Sequence, residues 1–496
     1  MSELFIDGRW EPAESGATRE IVCPADQSHV GTVAEAGAAD AERAIAAARR
    51  AFDAGDWSTR PTPERAQLVA DLADALEAEK EEVARAETLD TGKRLVEARI
   101  DMDDIIGVFR HFARLGQQEA GRVVDTGMPD VQSKVVTEPV GVCSLITPWN
   151  FPLLQTAWKV APALVAGNTF VLKPSELTPH TAVWLLRTLE RLGMPAGVGN
   201  LVLGPGDPVG AVMTEHEEVD LVSFTGGLHT GRRIMAAAAG TVKKVALELG
   251  GKNPFVLFAD ADLDAAIDNA LTAIFLDSGQ VCSAGSRLLV EESVHDQVVS
   301  ELVRRAGRIR LGGPFDEDAE TGPLISETHR EKVHAYVQSA VAEGAQLLCG
   351  GEIPGGELAG GWHYPPTILD GCRTDMECVQ TESFGPVLTV ETFSGSTREE
   401  AEDAAVALAN DTIYGLAGAV WTENAGRATR VAARLRHGTV WINDFHPYVP
   451  QAEWGGMKQS GVGRELGIAG LGEYVETKHV WHNTRPARAD WFADRG

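Results

Sequence analysis

The stretch that decides the fold is VCSLITPWNFPLLQTAWKVAPALVAGNTFVLKPSE, residues 142–176. It begins with a short apolar run at 142–147, continues through a helical pattern at 153–166, and ends in a second β-rich run at 169–174. Buried β-runs that alternate with helices of about 10 to 15 residues indicate βαβ units and therefore a parallel sheet. The same alternation predicts further strands at 200–204, 220–226 and 243–250.

A second α/β block is expected toward the carboxyl end. Its pattern predicts strands at 255–258 and 286–292, separated by a helix over 262–275. The glycine-rich stretch 350–361 is typical of a surface loop.

Near the amino end, residues 61–91 predict one long helix, with Thr62 as its N-cap and Pro63 in its first turn. Its apolar residues recur at helical spacing, so they are expected on one buried face. These residues are Leu68, Leu72, Leu76 and Val83.

Two segments, 122–138 and 476–484, do not fit the βα alternation. The first is polar and extended, and the second alternates like a strand without an evident partner. We expect both to leave the globule and pair with another subunit. The alternative is a surface hairpin and a tail.

The composition excludes several classes of protein. The chain has 496 residues with 44 Lys and Arg against 72 Asp and Glu, a net charge of −28, which argues against nucleic acid or an anionic membrane as a partner. Six cysteines in this length are not a disulfide scaffold, and no Cys or His cluster has the spacing of a zinc site, so no metal is expected. The first residues lack the apolar run of a signal peptide, and no uninterrupted membrane span is found. We therefore predict a cytoplasmic protein.

Cys282, in SGQVCSAGSR, is the first candidate for chemistry. Most free cysteines are buried and inert, and that alternative stands for this one. The surrounding glycines and serines would not fill a core, however, and they allow the backbone to approach a ligand closely. A thiol in such a loop suits a nucleophile.

A nucleophile needs a base and a donor for the developing oxyanion. Glu248, in LELGGKNP, and Asn150, in PWNFP, each follow a predicted strand, at the edge where open α/β sheets bind ligands. A carboxylate suits the base, and a side-chain amide suits the oxyanion donor. The alternatives are a salt-bridged strand end for Glu248 and a turn residue for Asn150.

The sequence contains no GxGxxG fingerprint of a dinucleotide site, since GPGDPVG (204–210) and GVGRELG (461–467) have the wrong last spacing. In KPSE, however, Lys173 and Glu176 follow a strand, where an acidic side chain can hold ribose hydroxyls and repel a 2′-phosphate. FTGG at 224–227 offers backbone N–H groups to a pyrophosphate at a helix start.

Taken together, ITPWNFP, LKPSE, FTGG, LELGGKNP, GQVCSAGSR and ESFGPVL occur in this order along the chain. By these motifs the whole chain resembles the NAD(P)-dependent aldehyde dehydrogenases. The resemblance implies an α/β fold with a Rossmann-like NAD-binding domain at 1–121 and 140–250. It further implies a small β oligomerisation arm at 122–139 and 476–496, an α/β catalytic domain at 251–475, and a homotetramer or homodimer.

The resemblance also implies the catalytic roles. Cys282 resembles the nucleophile and Glu248 the general base of the family. Asn150 and the backbone N–H of Cys282 resemble its oxyanion hole.

For the cofactor, the resemblance implies NAD, with NADP as an alternative. Lys173 and Glu176 resemble the contacts to the adenosine ribose, and Glu382 and Phe384 those to the nicotinamide ribose. Gly227 departs from many relatives, which have Ser there, so the backbone must make any pyrophosphate contact. The other residues assigned to the cofactor are Thr147, Pro148, Trp149, Gly206, Phe224, Thr225, Gly226 and Leu249.

Two aromatic segments bear on the substrate. Phe151 and Trp158 are seven apart, a spacing that places both rings on one side of a helix. Tyr448 and Trp454 lie in NDFHPYVPQAEWGG (443–456), beside an acidic residue. Aromatic residues at helical spacing usually belong to a core. A loop with Tyr and Trp beside an acidic residue is suited instead to line a binding site for a cation.

These aromatic positions resemble the box of the betaine aldehyde dehydrogenase branch, so Phe151, Trp158, Tyr448 and Trp454 are expected to bind substrate. The resemblance then implies oxidation of betaine aldehyde, an aldehyde with a cationic head group, to the osmoprotectant glycine betaine. The alternatives are an ω-aminoaldehyde or 4-trimethylaminobutyraldehyde dehydrogenase, a thiol hydrolase, and a non-catalytic relative.

Asp101 and Asp104, three apart on a predicted helix, also bear on the substrate. They are expected either at the mouth of a substrate tunnel, as in related aminoaldehyde dehydrogenases, or on a solvated helix face.

Overall fold

The computed structural model describes residues 2–118, 121–489 and 491–492. Positions 1, 119–120, 490 and 493–496, which the sequence assigns to the NAD-binding domain and the arm, lie outside the described residues. The strands are β1 (Leu4–Ile6), β2 (Arg9–Glu11), β3 (Thr18–Val22), β4 (His29–Ala34), β5 (Arg122–Val124), β6 (Val131–Pro139), β7 (Val142–Ile146), β8 (Thr169–Lys173), β9 (Gly199–Leu201), β10 (Leu221–Gly226), β11 (Lys244–Leu249), β12 (Pro254–Leu257), β13 (Arg287–Glu291), β14 (Gln346–Cys349), β15 (Thr367–Asp370), β16 (Val387–Phe393), β17 (Ala417–Trp421), β18 (Thr439–Ile442), β19 (Gly461–Val462) and β20 (Val475–Asn483).

The helices alternate with these strands, as the sequence predicts. They are α1 (Ala38–Ala54), α2 (Thr62–Thr91), α3 (Leu95–Leu115), α4 (Pro152–Ala166), α5 (His180–Arg191), α6 (Ala211–Glu215), α7 (Leu228–Ala238), α8 (Leu263–Phe275), α9 (His295–Ala306), α10 (Glu327–Ala342), α11 (Glu377–Gln380), α12 (Arg398–Asn410), α13 (Ala425–Arg434) and α14 (Gly467–Gly472).

The first sheet has the order β19-β11-β10-β7-β8-β9-β1-β2, and its five central strands are parallel. The predicted βαβ unit is confirmed: β7 pairs with β8 from Val142 opposite Thr169, and α4 connects the two strands. Every residue of α4 is buried, because the helix packs between this sheet and the helices α2 and α3. The α/β fold class is therefore confirmed.

The second sheet has the order β14-β15-β16-β13-β12-β17-β18 and is parallel except for its edge strand β14. Its strands all lie between residues 254 and 442, inside the predicted catalytic segment. One short strand of that segment, β19, pairs instead with β11 of the first sheet. The domain boundaries themselves stay a prediction.

The long helix α2 ends at Thr91 as predicted, but its start differs. Pro61 is the N-cap and Thr62 the first helical residue, so the prediction of Thr62 as the cap is wrong. The backbone of Pro61 is extended, and proline has no N–H that needs a hydrogen-bond partner. Pro61 can therefore precede the first helical turn, while Pro63 occupies that turn. The predicted apolar face is confirmed, since Leu68, Leu72, Leu76 and Val83 are all buried.

The two polar segments form a small sheet with the order β20-β6-β5. Strand β20 runs antiparallel to β6 along its whole length, from Val475 opposite Pro139 to Asn483 opposite Val131. The expectation that the carboxyl-terminal strand lacks a nearby partner is therefore wrong, since its partner is distant in sequence but adjacent in space. Pairing with another subunit stays a prediction.

No helix in the described part of the chain is long and apolar enough to span a membrane.

Candidate active site

Cys282 follows a strained turn that leads out of α8. Asp277 and Ser278, inside the one-turn 3₁₀ helix Leu276–Gly279, both have left-handed backbones, with φ of 47° and 54°. Gly279 is left-handed too, with φ of 73°, and a side chain there would overlap the backbone of Gly385. Such strain in non-glycine residues occurs where the surrounding structure imposes it, often at functional sites.

The three predicted catalytic residues line one cavity of about 260 Å³. Glu248 reaches it from the end of β11, Asn150 from the loop after β7, and Cys282 from the loop after α8. The cavity wall comprises Pro148, Trp149, Asn150, Gln155, Thr225, Gly226, Gly227, Glu248, Leu249, Gly250, Cys282, His329, Lys332, Glu382, Phe384 and Trp454.

Glu248 is a buried carboxyl without a hydrogen-bond partner on either oxygen among the described residues. Burial, and then the nearby Glu465, raise the pKa of Glu248 well above its usual value. The salt-bridged strand end considered from the sequence is thus not what the structure contains. A buried, unpaired carboxyl with a raised pKa in a cavity is typical of a proton-transferring group.

The Cys282 thiol lies in a similar environment. Burial, followed by the charges of Glu248 and Glu382, raises the pKa of this thiol to about 12. The resting group is therefore the thiol, and attack on a substrate requires that its proton be accepted as the bond forms.

The backbone beside Cys282 is held by two amide side chains. Asn150 donates from Nδ2 to the carbonyl of Gln280 at 2.8 Å, which leaves its second N–H free of that bond. Asn253 donates from Nδ2 to the carbonyl of Cys282 at 2.9 Å and to that of Ala284 at 2.9 Å. Asn253 lies in the quoted motif LELGGKNP, but its role was not predicted from the sequence.

A second cavity, of about 410 Å³, adjoins the first and shares Pro148, Trp149, Thr225 and Gly226 with it. Nine of the predicted cofactor residues line this second cavity, and the other four line the first. The nine are Thr147, Pro148, Trp149, Lys173, Glu176, Gly206, Phe224, Thr225 and Gly226. The four are Gly227, Leu249, Glu382 and Phe384.

This cavity fits a dinucleotide without a 2′-phosphate. Glu176 lies half-buried at its wall, and its carboxylate is 3.6 Å from the Lys173 ammonium. At the other end, Gly227 is the N-cap of α7, and a Cβ there would meet nothing within 4 Å. The helix N-terminus is therefore open to an anionic group.

Two residues of the first cavity, His329 and Lys332, were missed from the sequence. They lie three apart on α10, outside the quoted motifs, and no local pattern marks them. Burial lowers the pKa of His329 to about 4, so the ring is neutral, and its Nε2–H donates to the Phe384 carbonyl at 2.7 Å. That bond secures Phe384, whose φ is 53°.

Glu382 is fixed by the glycine pair that follows β11. Its carboxylate accepts from the Gly251 N–H at 2.9 Å, and burial raises its pKa to about 7. A Cβ at Gly250 would overlap the same carboxylate, so a side chain there would displace it.

Three of the four predicted substrate aromatics form a triangle. The ring centroids of Trp158, Tyr448 and Trp454 lie 5.6 to 5.9 Å apart, and Trp454 lines the cavity that contains Cys282. Phe445, from the same loop, stacks instead on Phe255 in the core.

Phe151 is not placed as the helical spacing predicts. It is the N-cap of α4, with φ of −131° and ψ of 67°, because the residue before a proline is kept out of the helical conformation. Its ring faces the Lys93 ammonium, 4.1 Å from the centroid. Phe151 therefore precedes the helix instead of lying within it, and a shared side for the Phe151 and Trp158 rings stays a prediction.

Asp101 and Asp104 are not on a solvated helix face. Asp101 is buried and accepts from Lys93 at 2.7 Å. Asp104 is half-buried and accepts from the Tyr448 hydroxyl at 3.1 Å, and burial raises its pKa to about 6. Asp104 thus contacts a residue of the aromatic triangle. The charge of Asp101 is instead compensated by Lys93.

Known proteins match this chain along almost its whole length. The model of the aldehyde dehydrogenase family matches residues 10–480. Betaine aldehyde dehydrogenase of Bacillus subtilis is 56% identical over 490 residues, which cover 99% of each chain. The peroxisomal aminoaldehyde dehydrogenase 2 of Pisum sativum is 42% identical over 496 residues, covering 99% of this chain and 97% of that one.

Among solved structures, betaine aldehyde dehydrogenase from Staphylococcus aureus in complex with NAD+ superimposes with a TM-score of 0.97 at 50% identity. The superposition covers 99% of this chain and 96% of that one.

The contact between Gly250 and Glu382 gives a first prediction. In Gly250→Ala the new methyl group displaces the Glu382 carboxylate, which is predicted to contact the nicotinamide ribose. A hydrogen bond to a charged group is worth about 1.5–3 kcal/mol, so the Kd for NAD should rise about tenfold or more. Calorimetric titration with NAD measures this. Gly107→Ala, at an α3 position with nothing within 4 Å, is the control, and a Kd unchanged within twofold in Gly250→Ala would contradict the contact.

Proposed function

This chain belongs to the aldehyde dehydrogenase family, and on that premise we propose that it oxidises betaine aldehyde to glycine betaine with NAD. The observation that carries the proposal is the triangle of Trp158, Tyr448 and Trp454, of which Trp454 lines the cavity that contains Cys282. Aromatic faces around a desolvated site attract quaternary ammonium groups. The 56% identity to the Bacillus subtilis betaine aldehyde dehydrogenase supports the same substrate.

In this proposal the cofactor binds across the two cavities. Lys173 and Glu176 hold the adenosine ribose, the open N-terminus of α7 meets the pyrophosphate, and Glu382 holds the nicotinamide ribose. The negative charge of Glu176 favours NAD over NADP. When bound, NAD supplies the hydride acceptor of the oxidation.

Cys282 starts the reaction in this scheme. Its sulfur attacks the aldehyde carbon, and its proton passes to Glu248, so a thiohemiacetal forms on the enzyme. The developing oxyanion accepts hydrogen bonds from the free N–H of Asn150 and from the backbone N–H of Cys282. Preorganised donors of this kind contribute roughly 3–4 kcal/mol to the transition state.

Glu248 then completes the turnover. After oxidation the acyl group is held on Cys282 as a thioester, and Glu248, once it has released the thiol proton to solvent, accepts a proton from the water that attacks it. The water oxygen becomes part of the acid product, and the sulfur leaves as the regenerated thiol. Because the pKa of Glu248 is raised, the ionised base becomes available at a higher pH than for an ordinary carboxyl.

A second candidate substrate class is the ω-aminoaldehydes. The half-buried Asp104 beside the Tyr448 hydroxyl favours it, since a carboxylate at that position attracts a primary ammonium group. The 42% identity to the aminoaldehyde dehydrogenase of Pisum sativum points the same way.

We also infer that the protein works in the cytoplasm as a homodimer or homotetramer. The six cysteines are free, as is usual for a protein of a reducing compartment. The small sheet β20-β6-β5 bears exposed apolar residues, among them Val123 and Trp481, that suit a contact between subunits.

The substrate is tested by NADH appearance, comparing kcat/KM for betaine aldehyde, 4-aminobutyraldehyde, 4-trimethylaminobutyraldehyde and propanal. We expect betaine aldehyde to lead by about tenfold or more, which corresponds to ~1.4 kcal/mol of transition-state preference. A lead by the amino or trimethylamino aldehydes would transfer the assignment to the second class. No NADH with any aldehyde would refute the enzymatic function.

The aromatic triangle gives a separate prediction for Trp454→Ala. Loss of a desolvated cation–π contact of ~2 kcal/mol should lower kcat/KM for betaine aldehyde about 30-fold. Propanal, which carries no charge, should lose less than about threefold on the same argument. Trp454→Phe, which keeps an aromatic face, is the matched control. Equal losses for both aldehydes would exclude a cation site at Trp454.

The role of Glu248 is tested by Glu248→Gln. The amide cannot accept the proton of water, so steady-state turnover should fall by about 10²–10⁴. The first turnover should still release one NADH per active site, more slowly than in the wild type because the thiol proton must then pass to solvent, and this burst also shows that the variant is folded. In the wild type, thioester hydrolysis should accelerate with pH as Glu248 ionises, and that dependence should vanish in the variant. Full steady-state turnover of Glu248→Gln would rule the residue out as the base.

A further inference from the structure

Lys93 is a buried cation that the proposed mechanism does not use. It lies in the short connection between α2 and α3, and its side chain is 1% exposed. The ammonium donates to Asp101 at 2.7 Å, lies 4.0 Å from the Asp277 carboxylate, and sits 4.1 Å from the centroid of the Phe151 ring.

We propose that Lys93 is a positioning residue for catalysis, which sets the loop of Cys282 against the segment that carries Asn150. The inference rests on the proposed roles of Cys282 and Asn150. It assigns Lys93 no contact with substrate or cofactor.

The first contact of Lys93 is with the strained turn before Cys282. Asp277 Oδ2 has no hydrogen-bond partner among the described residues, and the nearest cation recorded for it is Lys93. The backbone of the turn is bonded at both ends, since the Asp277 N–H donates to Glu97 at 3.2 Å and its carbonyl accepts from the Gln280 N–H at 3.0 Å. A side chain attracted toward Lys93 keeps this left-handed turn from relaxing.

The second contact is with the segment that carries Asn150. Phe151 follows Asn150 directly, and its ring carries the Lys93 ammonium on one face. Asn150 in turn donates to the carbonyl of Gln280, three residues after Asp277. The contacts therefore form a closed ring, from Lys93 through Asp277, Gln280, Asn150 and Phe151 back to Lys93.

The charges around Lys93 explain why an apolar side chain cannot replace it. Glu87, Asp101 and Asp277 are all buried nearby, and Glu97 is paired with Arg94 at 3.2 Å. Burial alone would lower the pKa of Lys93, but the neighbouring carboxylates outweigh it and hold that pKa above its usual value. Without the ammonium, Asp101 and Asp277 would face each other as unpaired buried carboxyls, and the turn would move.

The test compares Lys93→Met, Asp277→Asn and the double variant in the full-length enzyme. Peptide mass spectrometry counts the Cys282 thiols that iodoacetamide alkylates in each sample. The turnover rate is then divided by this number of reactive sites. We expect kcat to fall at least 20-fold in Lys93→Met and less than threefold in Asp277→Asn. The double variant should regain at least fourfold over Lys93→Met, because it no longer buries the unpaired carboxylate. The Kd for NAD should change less than threefold, since Lys173 and Glu176 lie in the other cavity.

A second readout does not depend on aldehyde turnover. If the turn relaxes, Cys282 becomes less buried, so iodoacetamide should alkylate it at least threefold faster at pH 8 in Lys93→Met than in the wild type. Global unfolding would also expose Cys282 and accelerate its alkylation, so the rates are compared on samples whose far-UV circular dichroism matches that of the wild type. Arg427→Met, which breaks the buried pair with Glu402 in the second sheet's helices, is the matched control and should leave both rates unchanged.

The outcomes separate the two proposals. If the wild type oxidises no aldehyde, the proposed function fails, while the alkylation rates still test Lys93. A kcat per alkylated site within threefold of wild type in Lys93→Met, with an unchanged alkylation rate, would overturn the positioning role. If Lys93→Met does not fold, the double variant is compared with Asp277→Asn instead. A kcat and an alkylation rate equal to those of Asp277→Asn would overturn the positioning role of Lys93. A lower kcat with faster alkylation would support that role.

Discussion

The in-register pairing of β7, β10 and β11 is the constraint on which the rest of the site depends. Phe224 lies opposite Ile146, and Thr225 lies opposite Glu248, so the three strands end at nearly the same level. The loop that carries Asn150, the FTGG turn and the Glu248 carboxyl therefore meet at one edge of the sheet. A slip of one residue would turn Glu248 to the opposite face of the sheet.

Burial at this edge controls the resting state of the reactive groups. Both the Cys282 thiol and the Glu248 carboxyl have raised pKa values, because neither can be charged in the cavity without a compensating partner. The nucleophile is therefore largely protonated until an aldehyde offers an acceptor for the developing charge. Such an arrangement limits reaction of the thiol with adventitious electrophiles.

Much of this could be predicted from the sequence, because short motifs after strands determine what gathers at the sheet edge. Cys282, Glu248 and Asn150 were predicted in this way and line one cavity, and the predicted cofactor residues line that cavity and the one beside it. His329 and Lys332 escaped because they come from a helix distant in sequence, with no motif around them. Phe151 was misplaced because the helical spacing ignored the backbone restriction that Pro152 imposes. The pairing of β20 with β6 was missed for a related reason: it joins strands more than 300 residues apart, and no local pattern records such a contact.

The complete burial of α4 has a consequence for how enzymes of this architecture diverge. Trp158 belongs to a helix on which every residue packs against the interior, so most replacements there disturb the whole first sheet. Tyr448 and Trp454 belong instead to a loop outside the regular elements. Selection for a new aldehyde is therefore expected to act first on residues 443–456, while the sequence of α4 drifts slowly.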